Sequence, residues 1–367
     1  MLTDLRERLR TTRWPGAAPG EPWSQGTDLA YLQDLVGYWA DGFDWRAQER
    51  ALNRFEHHRT ELDGVRVHFI HARGTCGSVP LILTHGWPSS FAEYLPLVPL
   101  LTDPAAHGIE GPAFDLVIPS LPGYTFSERP DRPLTTRDTA RLWHRLMREL
   151  GYERYGAGGG DFGAGVATYM ALDDPAALLG IHLTTIEVFP YRGPESPPLS
   201  DAEREYVDAS QRWAARERGY SSIQSTKPQT AGYALHDSPA GLAAWVLEKW
   251  RSWTDSGGDL DRRFSRDFLL TLLTLYWVTG SITTTLRDYY DNRWAGTPIG
   301  PDDYVDVPTA FGGFFNHFVS EGDPPREYME RLYRVTRWTP MATGGHFAAA
   351  EEPEMLARDI AAFYAGL

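Results

Sequence analysis

From residue 79 onward, short apolar runs alternate with turns and amphipathic helices, and this alternation constrains the fold more than any other feature. Strand-like runs cover residues 79–84, 114–119 and 179–184, and a helix is predicted over 136–150 with Thr136 as its N-cap. Strands that are apolar throughout are typical of sheets buried on both faces. The pattern therefore predicts an α/β fold in which a mostly parallel sheet is flanked by helices.

Helical segments precede and interrupt this sheet. Before it, helices are predicted over 4–13, 28–38 and 45–59, followed by a strand from Val65. Inside it, helices are predicted over 201–218, 239–253 and 266–290, before strands at 304–309 and 335–338 and a last helix at 354–364. We expect an N-terminal helical extension with the first strand (1–75), a first core part (76–188), a helical lid (189–294) and a second core part (295–367). Active sites often lie beneath such lids.

Charge and cysteine content exclude several classes of protein. The formal net charge of −14 argues against a nucleic-acid partner or an anionic membrane surface. A single cysteine, Cys76, excludes an internal disulfide and a cysteine-based zinc site. No apolar run reaches the ~18 residues that span a bilayer, and the charged first residues do not resemble a signal peptide. We expect a cytoplasmic enzyme without a membrane partner.

A glycine-rich turn at residues 158–163 carries the sharpest chemical signal. It reads GGGDFG, so Asp161 occupies the centre of a G-x-nucleophile-x-G pattern between a strand-like stretch and a helix. A carboxylate at such a turn can attack an sp³ carbon and form an ester. Two alternatives stay open at this point: Asp161 as an ordinary N-cap, and a dinucleotide-binding G-x-G-x-x-G turn, which lacks the acidic residue expected after the next strand.

Two further loops follow predicted strands. In the first, HGWP at residues 85–88, a tight turn can aim the Trp87 N–H into a cleft beside the Phe162 N–H, as an oxyanion hole. In the second, GGHF at 344–347, His346 lies between the last strand and the last helix, where α/β-hydrolase folds carry their base. Each loop alone is weak, but the three together, in this order, indicate an α/β-hydrolase.

The chain also resembles the microsomal-type epoxide hydrolases over essentially its whole length. The resemblance rests on motifs of the core and lid: HGWPSS (85–90), PSLPGY (119–124), GGDFG (159–163), QSTKP (224–228), DSPAGL (237–242), LYWVTG (275–280) and GGHFAA (344–349). It implies an α/β-hydrolase fold with an N-terminal extension and a lid, in a bacterial member of the family. Because no apolar anchor precedes the helical extension, unlike in mammalian members, we expect this member to be soluble.

The resemblance also implies roles for individual residues. Asp161 matches the nucleophile and His346 the base that activates water, while Tyr220 and Tyr289 match the lid tyrosines that hold the epoxide oxygen. Tyr290 is the neighbour with which Tyr289 is most easily confused. No metal or organic cofactor is implied. The predicted activity is conversion of an epoxide to a vicinal diol through an ester on Asp161.

The third member of the triad departs from the family pattern. His317 stands where the family has a carboxylate, and a histidine cannot stabilise an imidazolium as a carboxylate does. Glu321, four residues on, is the preferred substitute, and Glu187, after the strand at 179–184, is the second candidate.

Several features of the function stay open from the sequence. A haloalkane-type dehalogenase using the same Asp and His, and a catalytically silent hydrolase-like binding module, are the alternatives to an epoxide hydrolase. The aromatic-rich lid favours a bulky or aromatic small-molecule epoxide, in detoxification or natural-product biosynthesis. A homodimer stays open.

Overall fold

The computed structural model describes residues 1–75 and 77–367, so Cys76, the first residue of the predicted first core part, lies outside the described residues. Within them, eight strands form one sheet in the order β1-β2-β4-β3-β5-β6-β7-β8. The strands are β1 (His57–Leu62), β2 (Val65–Ala72), β3 (Val79–Thr84), β4 (Phe114–Pro119), β5 (Tyr155–Gly159), β6 (Leu178–Leu183), β7 (Val305–Gly313) and β8 (Tyr333–Pro340). Strands β3 to β8 are parallel, and the β1–β2 hairpin pairs antiparallel with β4. The predicted α/β fold is confirmed.

Register brings the carboxyl ends of the central strands level with one another. Thr84 pairs with Gly159, Gly159 with Leu183, and Leu183 with Phe311. Because the chain leaves parallel strands at the same edge of the sheet, the loops that follow β3, β5, β6 and β7 converge. The central strands are largely apolar, and every residue of β4 is buried, so the polar groups of this edge stand on a rigid base.

Six helices outside the lid and the N-terminal extension pack around the sheet: α4 (Leu97–Thr102), α5 (Thr136–Glu149), α6 (Phe162–Asp173), α14 (Arg326–Glu330), α15 (Ala348–Glu351) and α16 (Pro353–Tyr364). The predicted cap of α5 was wrong by one residue. Thr135, not Thr136, is the N-cap, because Thr135 Oγ1 accepts from the Asp138 N–H and the Asp138 carboxylate accepts from the Thr135 N–H. This reciprocal pair is a capping box.

The N-terminal extension contains α1 (Leu2–Arg10), α2 (Leu29–Asp41) and α3 (Trp45–Leu52), followed by β1. The predicted helix over 45–59 was wrong in its second half, because residues 57–62 pair with β2 and tertiary pairing overrides a weak helical pattern. The extension packs on the lid. Arg8 pairs with Asp237 at 2.7 Å, and Trp39 Nε1 donates to Thr274 Oγ1 at 3.0 Å.

The lid lies between β6 and β7 and contains seven helices: α7 (Asp201–Glu217), α8 (Gly219–Gln224), α9 (Pro228–Asp237), α10 (Pro239–Trp253), α11 (Leu260–Arg263), α12 (Arg266–Thr279) and α13 (Ile282–Ala295). The single helix predicted over 266–290 was wrong. Gly280, with φ +64°, ends α12, and α13 leaves it at 86°. Among the described residues no single helix is long and apolar enough to cross a membrane, although α12 and α13 pass together by length and composition only.

A buried ionic contact joins the core to α13. The side chain of Arg129, 1% exposed, pairs with Asp288 and, at 2.5 Å, with Asp291. Arg129 also donates to the Leu134 carbonyl oxygen at 3.0 Å. The two aspartates flank Tyr289, so this contact fixes the segment of the lid that carries that tyrosine.

Candidate active site

The turn between β5 and α6 holds Asp161 in a conformation that side chains rarely adopt, with φ 50° and ψ −133°. Glycines are required on both sides of it. A β-carbon built at Gly159 or Gly163 would lie 2.2 or 1.8 Å from the Thr84 carbonyl oxygen. The Asp161 N–H donates to Thr185 Oγ1 at 2.6 Å. The turn therefore projects the carboxylate from the edge of the sheet, as the sequence pattern predicts.

Two main-chain N–H groups converge on one oxygen of this carboxylate. Trp87 N and Phe162 N donate to Asp161 Oδ1 at 2.9 and 2.7 Å. The turn after β3 comes this close because it contains Gly86, where a β-carbon would lie 2.3 Å from the Asp161 β-carbon. Both N–H groups proposed from the sequence thus face the same atom, and negative charge on that oxygen is stabilised.

The loop between β8 and α15 places His346 beside the other carboxylate oxygen. His346 Nε2 lies 3.3 Å from Asp161 Oδ2, yet makes no aligned hydrogen bond with any described residue. The His346 N–H donates to the Trp253 carbonyl oxygen at 2.8 Å. Burial lowers the pKa of His346, but the adjoining Asp161 and the charge of Glu321 outweigh burial and raise that pKa overall.

A buried carboxylate holds the His346 loop in place. Glu351 accepts from the Phe347 N–H at 3.2 Å and from the Asp255 N–H at 2.8 Å. Burial raises the pKa of Glu351 to about 7, although Arg263 lies 3.5 Å away. Glu351 therefore ties the loop to the end of α10.

The lid supplies two tyrosines to the same space. Tyr220 on α8 stacks on Trp87 with centroids 5.3 Å apart and rings inclined by 5°. Tyr289 on α13 lies edge-on to Trp87 at 5.6 Å and to Tyr220 at 5.8 Å. Burial raises the pKa of both phenols well above the ordinary value, so both carry their protons. Tyr290 points away and is 41% exposed.

A cavity of about 260 Å³ separates the sheet edge from the lid. Asp161, His346, Tyr220, Tyr289 and Glu321 all line it. Most of its other side chains are aromatic or polar: Phe189, Tyr206, Ser210, Trp213, Arg218, Trp253, Phe314, Phe315 and His317. Every side chain predicted to act in the reaction therefore reaches one shared space, and the two predicted N–H groups face it through Asp161.

His317 and both candidates for the acid partner, Glu321 and Glu187, also line the cavity. His317 lies edge-on to His346 with centroids 6.1 Å apart, and burial lowers the pKa of His317 to about 3, so it is neutral. Glu321 is half-buried, and burial raises its pKa against the opposing charge of His346. Glu187 is exposed to the cavity. Within residues 1–75 and 77–367, neither glutamate hydrogen-bonds the His346 ring, so the choice between them stays a prediction.

Sequence reasoning missed several groups that shape the site. Tyr94 OH accepts from the Gly160 N–H at 3.1 Å, and Thr185 accepts from Asp161 N. Thr185 directly follows a predicted strand, a position that often serves a site. Tyr94 and Glu351 carry no such signal, because their contacts join segments far apart in the chain.

Comparisons with known proteins agree with this geometry. Residues 1–94 match the family described as epoxide hydrolase N terminus, and residues 79–252 match the alpha/beta hydrolase fold. The chain is 43% identical over 363 residues to a Stigmatella aurantiaca protein named provisionally as an epoxide hydrolase, covering 98% of this chain and 81% of that one. It is 35% identical to epoxide hydrolase 1 of Sus scrofa, covering 99% and 86%.

Two solved structures superpose over nearly all of the chain. The juvenile hormone epoxide hydrolase of the silkworm Bombyx mori gives a TM-score of 0.87 at 29% identity, covering 99% of this chain and 91% of that one. The Aspergillus niger epoxide hydrolase gives 0.84 at 30% identity, covering 99% and 92%. The likeness therefore includes the lid and the N-terminal extension as well as the sheet.

Proposed function

This chain belongs to the microsomal-type epoxide hydrolases, and from that premise we propose that Asp161 is the nucleophile that opens the epoxide. The enzyme acts on small-molecule epoxides and converts them to vicinal diols. One observation carries the proposal: Asp161 has one oxygen held by two N–H groups, the other facing His346, and two protonated phenols across the cavity.

Ring opening uses the oxygen of Asp161 that is free of N–H donors. Asp161 Oδ2 forms a bond to a ring carbon while the bond from that carbon to the ring oxygen breaks, and the electron pair stays on the departing oxygen. Tyr220 and Tyr289 donate hydrogen bonds to this oxygen. One phenol supplies the proton and is reprotonated from solvent before the next turnover. Since burial keeps both phenols protonated, both are ready to donate at neutral pH.

In ester hydrolysis the other carboxyl oxygen, Oδ1, carries the developing negative charge. His346 takes a proton from a water molecule, whose oxygen attacks the Asp161 carbonyl carbon. The negative charge develops on Oδ1, between the Trp87 and Phe162 N–H groups. The bond from the carbonyl carbon to Oδ2 then breaks, the proton on His346 passes to the departing oxygen, and the diol is released. Esterification neutralises Asp161, which removes the main influence that raises the pKa of His346. Formation of the ester therefore lowers the pKa of His346, so that its ring is neutral and can accept a proton from water.

The cavity supports a compact aryl epoxide as substrate. Its volume of about 260 Å³ suits a ligand of one or two rings, and Trp213, Trp253, Phe314 and Phe315 offer aromatic surface for them. Turnover of styrene oxide-like epoxides against larger aryl epoxides measures this preference. We expect the smaller substrates to be turned over faster, and the reverse order would contradict the size limit.

The nucleophile is tested by isotope labelling. A single turnover in ¹⁸O-water should place the label in Asp161 and leave the diol unlabelled, because water attacks the carbonyl carbon of the ester. Label in the diol would mean direct attack by water on the epoxide. Asp161→Asn should abolish turnover while the thermal unfolding midpoint stays close to that of the unmodified enzyme.

A dehalogenase would use the same Asp and His, and one observation bears on it. The buried indole N–H groups of Trp87 and Trp253 have no partner among the described residues, and indole N–H groups are donors of the kind that a halide takes. Two protonated phenols have no task in halide release, however. Halide release from haloalkanes, measured with the same preparation, should stay at background.

A further inference from the structure

The chain keeps a lysine where lysines are rarely found. Of its 35 basic residues only Lys227 and Lys249 are lysines, and Lys249, on α10, is 6% exposed. Its ammonium contacts one carboxylate, Glu248 Oε2, at 2.5 Å. Removing an ammonium from water is costly even when it is paired. A buried lysine in an arginine-rich chain therefore indicates a specific role for this side chain.

The ammonium of Lys249 lies against aromatic rings of the catalytic cavity. Its Nζ is 4.9 Å from the ring centroid of Tyr220 and 5.8 Å from that of Trp253. These distances are within the range of cation–π contacts. Lys249 itself is absent from the described lining of the cavity, whereas both rings belong to it. Any effect of Lys249 on the substrate must pass through these rings.

We propose that Lys249 is a positioning residue that strengthens Tyr220 as a hydrogen-bond donor during ring opening. A cation over the ring draws electron density from the phenol, which makes the O–H a stronger donor. As the ring oxygen of the epoxide gains negative charge, part of that charge passes to the phenol oxygen. The attraction of Lys249 for the ring is therefore greater in the transition state than in the resting enzyme, which is the condition for faster reaction.

The identity of the residue fits this role. An ammonium is a compact point charge that fits above one ring, whereas a guanidinium carries five donors that need partners. The Tyr220 ring is already oriented by Trp87 and Tyr289, so the cation acts on a phenol whose direction is fixed. The inference rests on the proposed role of Tyr220 and deepens it.

The two chemical steps give the test. In single-turnover rapid-quench experiments with a styrene oxide-like epoxide, Lys249→Met should slow ester formation by roughly 3- to 30-fold, the range of a partly desolvated cation–π contact. Ester hydrolysis, followed by intact mass, should keep its rate because Tyr220 takes no part in it. Lys227→Met, at the exposed lysine, should leave both steps unchanged.

Further variants separate electrostatics from packing. In a Tyr220→Phe background, Lys249→Met should have little further effect on ester formation, and Lys249→Arg should restore part of the rate. Glu248→Gln removes the counter-ion but keeps the cation, so ester formation should be as fast as before or faster. Glu248→Gln also tests the inference if Lys249→Met fails to fold. If the ion pair were purely structural, breaking it in Glu248→Gln would slow ester formation.

Three results would overturn the inference: equal slowing of both steps in Lys249→Met, a full effect of that change without the Tyr220 hydroxyl, or slower ester formation in Glu248→Gln. Failure of the proposed function is distinguishable from these. In that case the unmodified enzyme itself would form no ester on Asp161.

Discussion

The two walls of the catalytic cavity are built by different means. The core wall, defined by Asp161, His346 and the Trp87 and Phe162 N–H groups, is set by the main chain at the edge of a buried sheet. The lid wall, defined by Tyr220 and Tyr289, is set by side chains that pack on aromatic neighbours. The position of a main-chain donor is set by the backbone, whereas the position of a phenol hydroxyl depends on the packing of every ring around it.

This difference has a chemical consequence. The core wall carries the groups that form and break covalent bonds, so losing one of them should stop a step. The lid wall shares the stabilisation of one oxygen between two donors, so losing one should only slow the reaction. Changes at the two walls should therefore differ in size and in the step that they affect.

The largest effect is expected at His346. His346→Gln should still open the epoxide but should not hydrolyse the ester, because no other described group faces Asp161 Oδ2 as a base. The alkylated enzyme should accumulate and appear in intact mass spectra as the mass of the enzyme plus one substrate. His107→Gln, at an exposed histidine far from the cavity, is the control. Full multiple turnover by His346→Gln would remove His346 from the mechanism.

The next largest effect concerns the acid partner. Glu321→Gln should slow ester hydrolysis by roughly 10²–10⁴-fold, while Glu187→Gln, the matched control in the same cavity, should do much less. The charge of Glu321 raises the pKa of His346. Its removal should therefore lower that pKa and move the acid limb of the pH–rate profile for hydrolysis to lower pH.

A larger loss in Glu187→Gln would assign the acid to the loop after β6. Normal hydrolysis by both variants would leave His346 without a carboxylate partner and would weaken the distinction between the two walls.

Of the changes at the two walls, the smallest effect is expected at the lid tyrosines. Tyr289→Phe or Tyr220→Phe should slow ester formation by roughly 10²-fold, the lower end of what removing one donor to a developing oxyanion costs. Each should leave ester hydrolysis unchanged. Tyr290→Phe, at the exposed neighbour of Tyr289, is the control in rapid-quench measurements. Complete loss of ester formation in either single variant would show that the two phenols do not share the stabilisation of the departing oxygen.

The same contrast explains what the sequence could predict. The core wall follows from local patterns, because glycines beside Asp161 and a turn after each apolar run are visible along the chain. The lid tyrosines came only from the resemblance to a family, since two residues in separate helices meet solely through packing. Sequence reasoning did not identify Lys249, Glu351 or Tyr94 for the same reason.

Secondary structure failed where a distant partner decides it. Residues 57–62 have a helix-compatible composition, but β2 offers an open edge, and six pairs of residues form there. Within 266–290 the apolar pattern continues past Gly280, although the left-handed backbone at that residue ends the helix. Hydrophobic periodicity predicts neither the open edge of β2 nor the backbone angle at Gly280.

The buried contact between Arg129 and the aspartates of α13 resists separation of the lid from the core at α13. Opening the lid at α13 would break this contact and leave the buried charge of Arg129 without its two carboxylate partners, which is unfavourable. The N-terminal end of the lid is restrained as well, because Arg331 of the core donates to the Pro197 and Pro198 carbonyl oxygens at 2.9 and 2.8 Å and to the buried Glu203 of α7 at 2.7 Å. Charged contacts therefore anchor the lid on the core at both of its ends, and Phe189, which lines the cavity while being 41% exposed, marks a place where the cavity reaches the surface.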